Sequence, residues 1–144
     1  MGAKISNRFK IFLAGSIEQG IAEDWQSYVE KALSNDDRYC LLNPRRDNWD
    51  NTWEQSIKNT QFKEQVNWEL DALELSDLII MYFDASTKSP ISLLEFGLFA
   101  KSNKLAVICS QGFWRKGNVD VICERFNILK FNNLDEIIKQ LKQR

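Results

Sequence analysis

Short apolar runs alternate with helical patterns along the chain, and this alternation is the feature that most constrains the fold. Five runs read as strands because each is brief, apolar and bounded by turn residues. They cover residues 10–15, 38–42, 77–83, 105–109 and 127–131. Strands that alternate with helices favour a parallel sheet with helices on both faces. The sequence therefore predicts a small doubly wound α/β domain, flavodoxin-like or Rossmann-like, with five strands.

In the segments between and after the predicted strands, apolar residues recur at helical spacing. Five helices are expected, over about residues 21–33, 60–75, 89–102, 119–125 and 134–141. Thr60 is the expected N-cap of the second helix, while Ser89 and Pro90 supply the cap and the first turn of the third. Asn133 and Glu136 form a capping-box pattern at the start of the last helix.

The composition narrows the chemistry that the chain can perform. It contains no histidine, which excludes Ser-His-Asp catalysis, Cys-His catalysis and metal sites built on imidazole. A formal net charge of −1 gives no bulk attraction to nucleic acid or to an anionic membrane. The cysteines Cys40, Cys109 and Cys123 lie in apolar runs, so we expect reduced thiols in a cytosolic protein. No apolar run approaches the roughly 20 residues that span a bilayer.

The loops at one edge of the predicted sheet are the places to look for a ligand. In doubly wound sheets, ligands bind outside the carboxyl ends of the strands. The loops at those ends begin at Gly15, Asn43, Asp84 and Ser110. The polar stretch over residues 45–59 carries Trp49 and Trp53, and its length is typical of a functional loop.

The third predicted helix contains one carboxylate in an otherwise apolar segment. Residues 89–100 are apolar around nearly the whole circumference of the helix, so we expect the helix to be largely buried. Glu95 is the only charge between Lys88 and Lys101. It could serve merely as a partner of the helix dipole. Because burying an unpaired carboxylate is costly, we expect Glu95 to face a polar cavity or to be held by donors. Gly97 would let another element approach closely.

A second carboxylate stands out in the second predicted helix. Glu69 lies on or beside the apolar stripe formed by Phe62, Val66, Leu70 and Leu73. It would face the sheet or the cleft above it, although a carboxylate at such a boundary can also reach water along the helix edge. Trp68 adds an aromatic surface near the same mouth. Asp84 ends a strand ahead of a turn, where aspartate is also favoured for turn chemistry alone.

Two carboxylates in one cleft, without histidine, suit the chemistry of a glycosidic bond. One group attacks or stabilises an oxocarbenium-like sugar carbon, and the other helps to protonate the leaving base. A covalent ester between sugar and enzyme splits one difficult displacement into two easier ones. Aromatic rings at the mouth of the cleft would stack on a planar base.

The motifs of this sequence resemble those of a known family. They are Ile-Phe-Leu-Ala-Gly-Ser-Ile at 11–17, Asn-Pro-Arg-Arg at 43–46, Ser-Pro-Ile-Ser-Leu-Leu-Glu-Phe-Gly-Leu at 89–98 and Gly-Phe-Trp-Arg-Lys-Gly-Asn-Val at 112–119. The family is that of the nucleoside 2-deoxyribosyltransferases, and the resemblance is closest to its transferase-like branch. It implies one such domain over residues 1–144, with exchange of the base of a 2′-deoxynucleoside by double displacement. It also implies a homo-oligomer.

The resemblance assigns roles to individual positions. Glu95 matches the nucleophilic glutamate that forms a 2-deoxyribosyl ester in the family. Glu69 stands where better-studied members have an aspartate near the leaving base, and Ser89 stands where they have an aspartate that holds the sugar. Both are departures from the family pattern. Glu69 or Asp84 is therefore expected to assist proton transfer to the base.

Further residues are expected around the substrate, which is a 2′-deoxynucleoside or a free nucleobase. Gly15 and Ser16 would line the pocket floor, and Asn118 is a candidate for an asparagine that a neighbouring subunit gives to the sugar. We expect no metal and no cofactor. The remaining candidates for substrate binding are Asn43, Arg45, Trp49, Phe62 and Trp68, the three aromatic ones by stacking on the base.

Two other functions stay open from the sequence alone. An N-glycosidase would release the base from a deoxynucleoside or from its monophosphate, and Ser16 with Arg45 could then hold the phosphate. A nucleotide-binding sensor would bind the same ligands without turnover, and its native state would be stabilised by them.

Overall fold

Among the residues that the structure describes, five parallel strands form one sheet. The structure, a computed structural model, describes residues 8–16, 24–44 and 55–144. In those ranges the strands are β1 (Phe9–Gly15), β2 (Tyr39–Leu42), β3 (Leu78–Phe83), β4 (Leu105–Cys109) and β5 (Leu129–Phe131), in the spatial order β2-β1-β3-β4-β5. Every neighbouring pair is parallel. The predicted doubly wound α/β fold is confirmed, with each strand end within two residues of its expected place.

Helices connect the strands and follow the last one. In the described residues they are α1 (Trp25–Leu33), α2 (Thr60–Leu75), α3 (Pro90–Phe99), α4 (Lys116–Arg125) and α5 (Leu134–Lys142). Thr60 is not the N-cap of α2, because Asn59 precedes it and accepts the backbone N–H of Phe62 at 3.0 Å. Asn133 caps α5 as expected, accepting the N–H of Glu136 at 3.0 Å.

Apolar side chains cover both faces of the sheet. The face under α2, α3 and α4 includes Phe12, Ala14, Leu73, Met81, Phe83, Phe96 and Val119. The face under α1 and α5 includes Ile11, Leu13, Trp25, Val29, Ile80, Ile137 and Leu141. Because neighbouring residues of β3 point to opposite faces, Ile79, Ile80 and Met81 are all fully buried. The expectation that this strand is buried on both faces is confirmed.

The order of the strands fixes the switch point of the sheet. The chain moves from β1 outward to β2 and then returns past β1 to β3, so the direction of winding changes between β1 and β3. At that point the N–H of Ser16 donates to the carbonyl of Tyr82 at 2.8 Å, and the N–H of Asp84 donates to the Ser16 hydroxyl at 2.8 Å. Ligands bind at such switch points in doubly wound sheets.

The expectation that α3 is largely buried is wrong. Its inner face is buried, but its outer face presents three exposed apolar side chains, Ile91, Leu94 and Leu98, at 60%, 63% and 61% exposure. Gly97 is exposed as well, and an added Cβ there would meet no heavy atom within 4 Å in the described chain. The close approach expected at Gly97 is therefore not made by any described element. A helix that is apolar all round has one face more than the sheet can cover.

The cysteines of the described residues are free thiols, and none of the helices there resembles a membrane span. Cys123 is buried, whereas Cys40 and Cys109 are half-buried. Burial raises the pKa values of Cys109 and Cys123 to about 11, so these thiols stay protonated near neutral pH. Within residues 8–16, 24–44 and 55–144, no helix is long and apolar enough to cross a bilayer.

Candidate active site

Glu95 lies on the inner face of α3, and its side chain is only 8% exposed. Burial raises the pKa of its carboxyl group to about 8, and the nearby charge of Glu69 adds to the increase. In the part of the chain that the structure describes, no hydrogen bond or ion pair compensates this carboxyl group. Burial of this kind without compensation is typical of groups that act on a ligand. The sequence left two environments open for Glu95, a polar cavity or a set of hydrogen-bond donors. The structure does not favour the donors.

Glu69 is the second carboxylate of the cleft, and it projects from α2. Its Oε1 accepts a hydrogen bond from Nε2 of Gln65, one turn earlier on the same face, at 3.2 Å. Gln65 is itself 9% exposed, so it holds this oxygen from a buried position. Because the charge of Glu69 raises the pKa of Glu95, the fold brings together two carboxyl groups that the sequence carries on separate helices. With its pKa raised to about 8, chiefly by burial, the carboxyl group of Glu95 keeps its proton at neutral pH.

Trp68 supplies an aromatic surface beside this pair. Its side chain is 37% exposed, and its ring centroid lies 6.5 Å from that of Phe12 on β1. Phe12 is paired with Leu42, the last residue of β2, so Trp68 lies near the carboxyl end of β2. Phe62 is half-buried in the first turn of α2. Stacking of a base on these rings stays a prediction.

Three buried hydroxyl groups form a cluster at the switch point. The Ser16 Oγ lies 2.7 Å from the Ser89 Oγ and 2.8 Å from the Thr87 Oγ1, and the last two atoms are 2.8 Å apart. Thr87 was not anticipated, because its contact with Ser16 joins residues 71 positions apart in the chain. The cluster ties the end of β1 to the start of α3. It therefore fixes the helix on which Glu95 lies.

Ser89 is not the helix cap that the sequence predicts. It occupies the N-cap position of α3, but its backbone is left-handed at φ 47° and ψ 54°, and its side chain makes no capping hydrogen bond. The hydroxyl turns instead toward Ser16 and Thr87. A left-handed serine stores backbone strain, which occurs most often near functional sites.

Gly15 allows β1 and β3 to meet closely at the switch point. Its φ is +128°, and an added Cβ would lie 2.2 Å from the carbonyl oxygen of Tyr82. Any side chain here would collide with the backbone of β3. The glycine is thus required by the contact between the strands, whether or not it also lines a pocket floor.

Asp84 serves the turn that follows β3. Its Oδ1 accepts hydrogen bonds from the backbone N–H and from the hydroxyl of Ser86, both at 2.8 Å. This is the turn chemistry that the sequence left open for it. The carboxylate whose charge acts on Glu95 is Glu69, so Glu69 is the better candidate for proton transfer.

Two further sequence candidates, Asn43 and Asn118, lie in the described residues. Asn43 is half-buried and donates from Nδ2 to Oε1 of Glu30 at 3.0 Å. Asn118 is exposed in the first turn of α4. Arg45 and Trp49 lie outside the described residues. Gln65, by contrast, was missed, although its position one turn before Glu69 was a usable signal.

Comparison with known proteins identifies the family. Residues 8–113 match the family described as nucleoside 2-deoxyribosyltransferase like. The chain belongs to this family. The matched range includes the strands β1 to β4 and both carboxylates of the site. Membership makes the chain a relative of enzymes of the deoxyribosyltransferase type.

Solved structures support the fold of this deoxyribosyltransferase-like chain. It is similar to a conserved protein from Enterococcus faecalis V583, known from its crystal structure, with a TM-score of 0.65 and 16% sequence identity. The similarity covers 95% of this chain and 99% of that one. At this identity the likeness concerns the fold alone. No curated protein matches the chain.

Proposed function

We propose that this protein exchanges the nucleobase of a 2′-deoxynucleoside by double displacement, with Glu95 as the nucleophile. The observation that carries the proposal is the buried carboxyl group of Glu95 beside Glu69, in a chain of the nucleoside 2-deoxyribosyltransferase-like family. A carboxylate pair flanking a glycosidic bond can divide the work into nucleophile and acid. Ligands of doubly wound folds bind at the switch point, which in this chain lies between β1 and β3.

In the first half-reaction, the proton that Glu95 holds in the free protein passes to Glu69, and an Oε atom of the resulting Glu95 carboxylate forms an ester bond to C1′ of the sugar. The bond between C1′ and the base nitrogen breaks, and its electron pair stays with the base. The base receives the proton of Glu69. The departing base leaves a 2-deoxyribosyl ester on Glu95.

In the second half-reaction, a nitrogen of the incoming base attacks C1′ and the ester bond breaks. Glu95 returns as a carboxylate, and the proton displaced from the incoming base returns to Glu69. The proton that leaves with the first base is thus replaced by one from the incoming base, and the hydrogen bond from Gln65 holds Glu69 in place during both transfers. Glu69 thus acts first as acid and then as base, while Glu95 is the nucleophile.

The proposal includes a second copy of the chain over the outer face of α3. That face is apolar and uncharged across Ile91, Leu94 and Leu98, and Gly97 between them leaves room for close helix packing. An uncharged apolar stripe is complementary to itself, as a two-fold interface requires. The exposed Asn118 agrees with a role toward a neighbouring subunit.

The test is base exchange between thymidine and adenine, followed by chromatography of deoxyadenosine. Wild-type protein is expected to form it, Glu95→Ala is expected to lose the activity, and Glu64→Ala, at an exposed glutamate of α2, is the matched control. Full activity in Glu95→Ala would remove the proposed nucleophile. Free deoxyribose formed at one rate with and without acceptor base would assign hydrolysis instead. Thermal stabilisation by nucleosides without any product would assign a sensor.

A further inference from the structure

A fully buried glutamine lacks hydrogen-bond partners near the candidate site. Gln26 on α1 has 0% exposure, and within the described part of the chain neither Nε2 nor Oε1 of its carboxamide has a partner. No other completely buried side-chain nitrogen or oxygen there is left unpaired. Buried polar groups are nearly always hydrogen-bonded, because leaving them unpaired destabilises the folded state. A glutamine left in this state points to a partner that arrives with a ligand.

Contacts on either side of Gln26 fix its place in the fold. The indole N–H of Trp25 donates to the carbonyl of Ser16 at 3.1 Å, which holds the start of α1 against the end of β1. One turn after Gln26, Glu30 accepts the side-chain N–H of Asn43 at 3.0 Å, just past the end of β2. Gln26 and Glu30 share one face of the helix, and helical side chains lean toward the N-terminus. The carboxamide therefore lies at the carboxyl ends of β1 and β2.

The same part of the sheet edge is where the base is expected. Trp68 packs on Phe12, which is level with the last residue of β2, and Trp68 precedes Glu69, the proposed proton donor to the base. α1 and α2 lie on opposite faces of the sheet, so Gln26 and Trp68 flank this edge from its two sides. A base that stacks on Trp68 and spans the strand ends would place its far edge on the α1 side.

We propose that the carboxamide of Gln26 recognises the hydrogen-bonding edge of the nucleobase. A carboxamide presents an N–H donor and a carbonyl acceptor in one plane, which matches an adjacent acceptor and donor on a base. The proposal rests on the proposed base exchange and adds a residue that selects the base. It makes Gln26 a specificity-determining residue, held unpaired in the free protein so that the base can pair with it.

Gln26→Met tests the proposal because it keeps the length of the side chain and removes both polar groups. The melting temperature of the free protein is expected to rise by about 2–4 °C, since the unpaired amide is gone from the interior. The KM for the acceptor base is expected to rise about 10- to 100-fold, the usual loss for a bidentate contact to a base. Gln140→Met, at an exposed glutamine of α5, is the matched control and should change neither value.

Gln26→Glu adds a readout that a purely structural role would not move. It replaces the NH2 group by an oxygen at unchanged size, which removes the fixed order of donor and acceptor, so the ratio of kcat/KM between two acceptor bases should shift at least tenfold relative to wild type. A lower melting temperature in Gln26→Met together with unchanged KM and unchanged base selectivity would overturn the proposal. That result would make Gln26 a structural residue.

Thermal stabilisation by free adenine separates this proposal from the proposed function. Wild type stabilised by adenine, with the stabilisation lost in Gln26→Met, supports the role of Gln26 even if no exchange occurs, and then only the exchange reaction fails. Exchange by wild type with equal base selectivity in both Gln26 variants refutes the role of Gln26 while the reaction stands. Absence of adenine binding in wild type would also refute the role of Gln26.

Discussion

Replacing Glu95 by glutamine should remove a pH-dependent cost from the folded state. In the folded protein the pKa of Glu95 is raised from its ordinary 4.5 to about 8, with burial as the main cause and Glu69 as the second. Between these two values the folded chain still holds the proton, whereas the unfolded chain has lost it. The unfolded state therefore binds fewer protons, and the free energy of unfolding falls as the pH rises through this window.

The size of the effect follows from the width of the window. Each pKa unit corresponds to about 1.36 kcal/mol, so Glu95 lowers the stability at pH 8 by up to about 5 kcal/mol relative to pH 4. Glutamine has nearly the same shape and cannot ionise. Glu95→Gln should thus match wild type within about 1 kcal/mol at pH 4.5 and exceed its stability by several kcal/mol at pH 8.

Urea unfolding at several pH values between 4.5 and 8.5 measures this difference. Subtracting the wild-type curve from the variant curve removes the contribution of the groups that both proteins share. Glu64→Gln, at an exposed glutamate of α2, shows the effect of losing a surface charge. A difference for Glu95→Gln that does not change with pH would refute the claim that the carboxyl group is buried without compensation.

Four further results are expected. Gly15→Ala should destabilise the fold by more than about 3 kcal/mol in urea, because its Cβ would lie 2.2 Å from the Tyr82 carbonyl at a φ of +128°; a loss below about 1 kcal/mol would contradict the close contact. Glu69→Gln should lower kcat for base exchange by about 100- to 10,000-fold, as expected for a general acid. Wild-type activity should fall above about pH 8, where the pair of Glu69 and Glu95 loses its last proton. A wild-type rate that still increases from pH 8 to 9 would contradict a proton held by this pair. Leu94→Lys should reduce the oligomer to monomer in light scattering, because it charges the centre of the apolar stripe; an unchanged assembly would place the interface elsewhere.

The parts of the fold that could be predicted are those set by local patterns. The five strands follow from apolar runs between turn residues, and the capping of α5 by Asn133 follows from a short motif. The cap of α2 was placed one residue late, since Asn59 and Thr60 are both capping residue types. An error in a cap position is only one residue in size here, because two neighbouring capping residues compete for the same backbone N–H groups.

The sequence also singled out the two carboxylates, and its errors concern long-range contacts. Glu95 and Glu69 stand out because each is a charge beside an apolar stripe, which is a local signal. Ser89 is a capping residue type at the N-cap position, but its hydroxyl group contacts that of Ser16, 73 residues away in the chain. No local pattern contains that contact, so the left-handed backbone of Ser89 could not be foreseen.

The burial of α3 was misjudged for a physical reason. An apolar helix can face the sheet on one side and a neighbouring subunit on the other, and hydrophobicity alone does not separate these two kinds of burial. Gln26 was overlooked for a similar reason. A glutamine near a helix start is ordinary in sequence, and only the three-dimensional structure shows that it is fully buried and unpaired.

Mass spectrometry of the quenched reaction tests the central claim most directly. Protein mixed with a 2′-deoxynucleoside in the absence of acceptor base, then quenched in acid and digested, is expected to carry a 2-deoxyribosyl ester on the peptide that contains Glu95. Addition of acceptor base before the quench should remove the ester, and Glu95→Gln should never form it. Base exchange by a wild-type protein that carries no ester, or that carries it on another residue, would contradict the account.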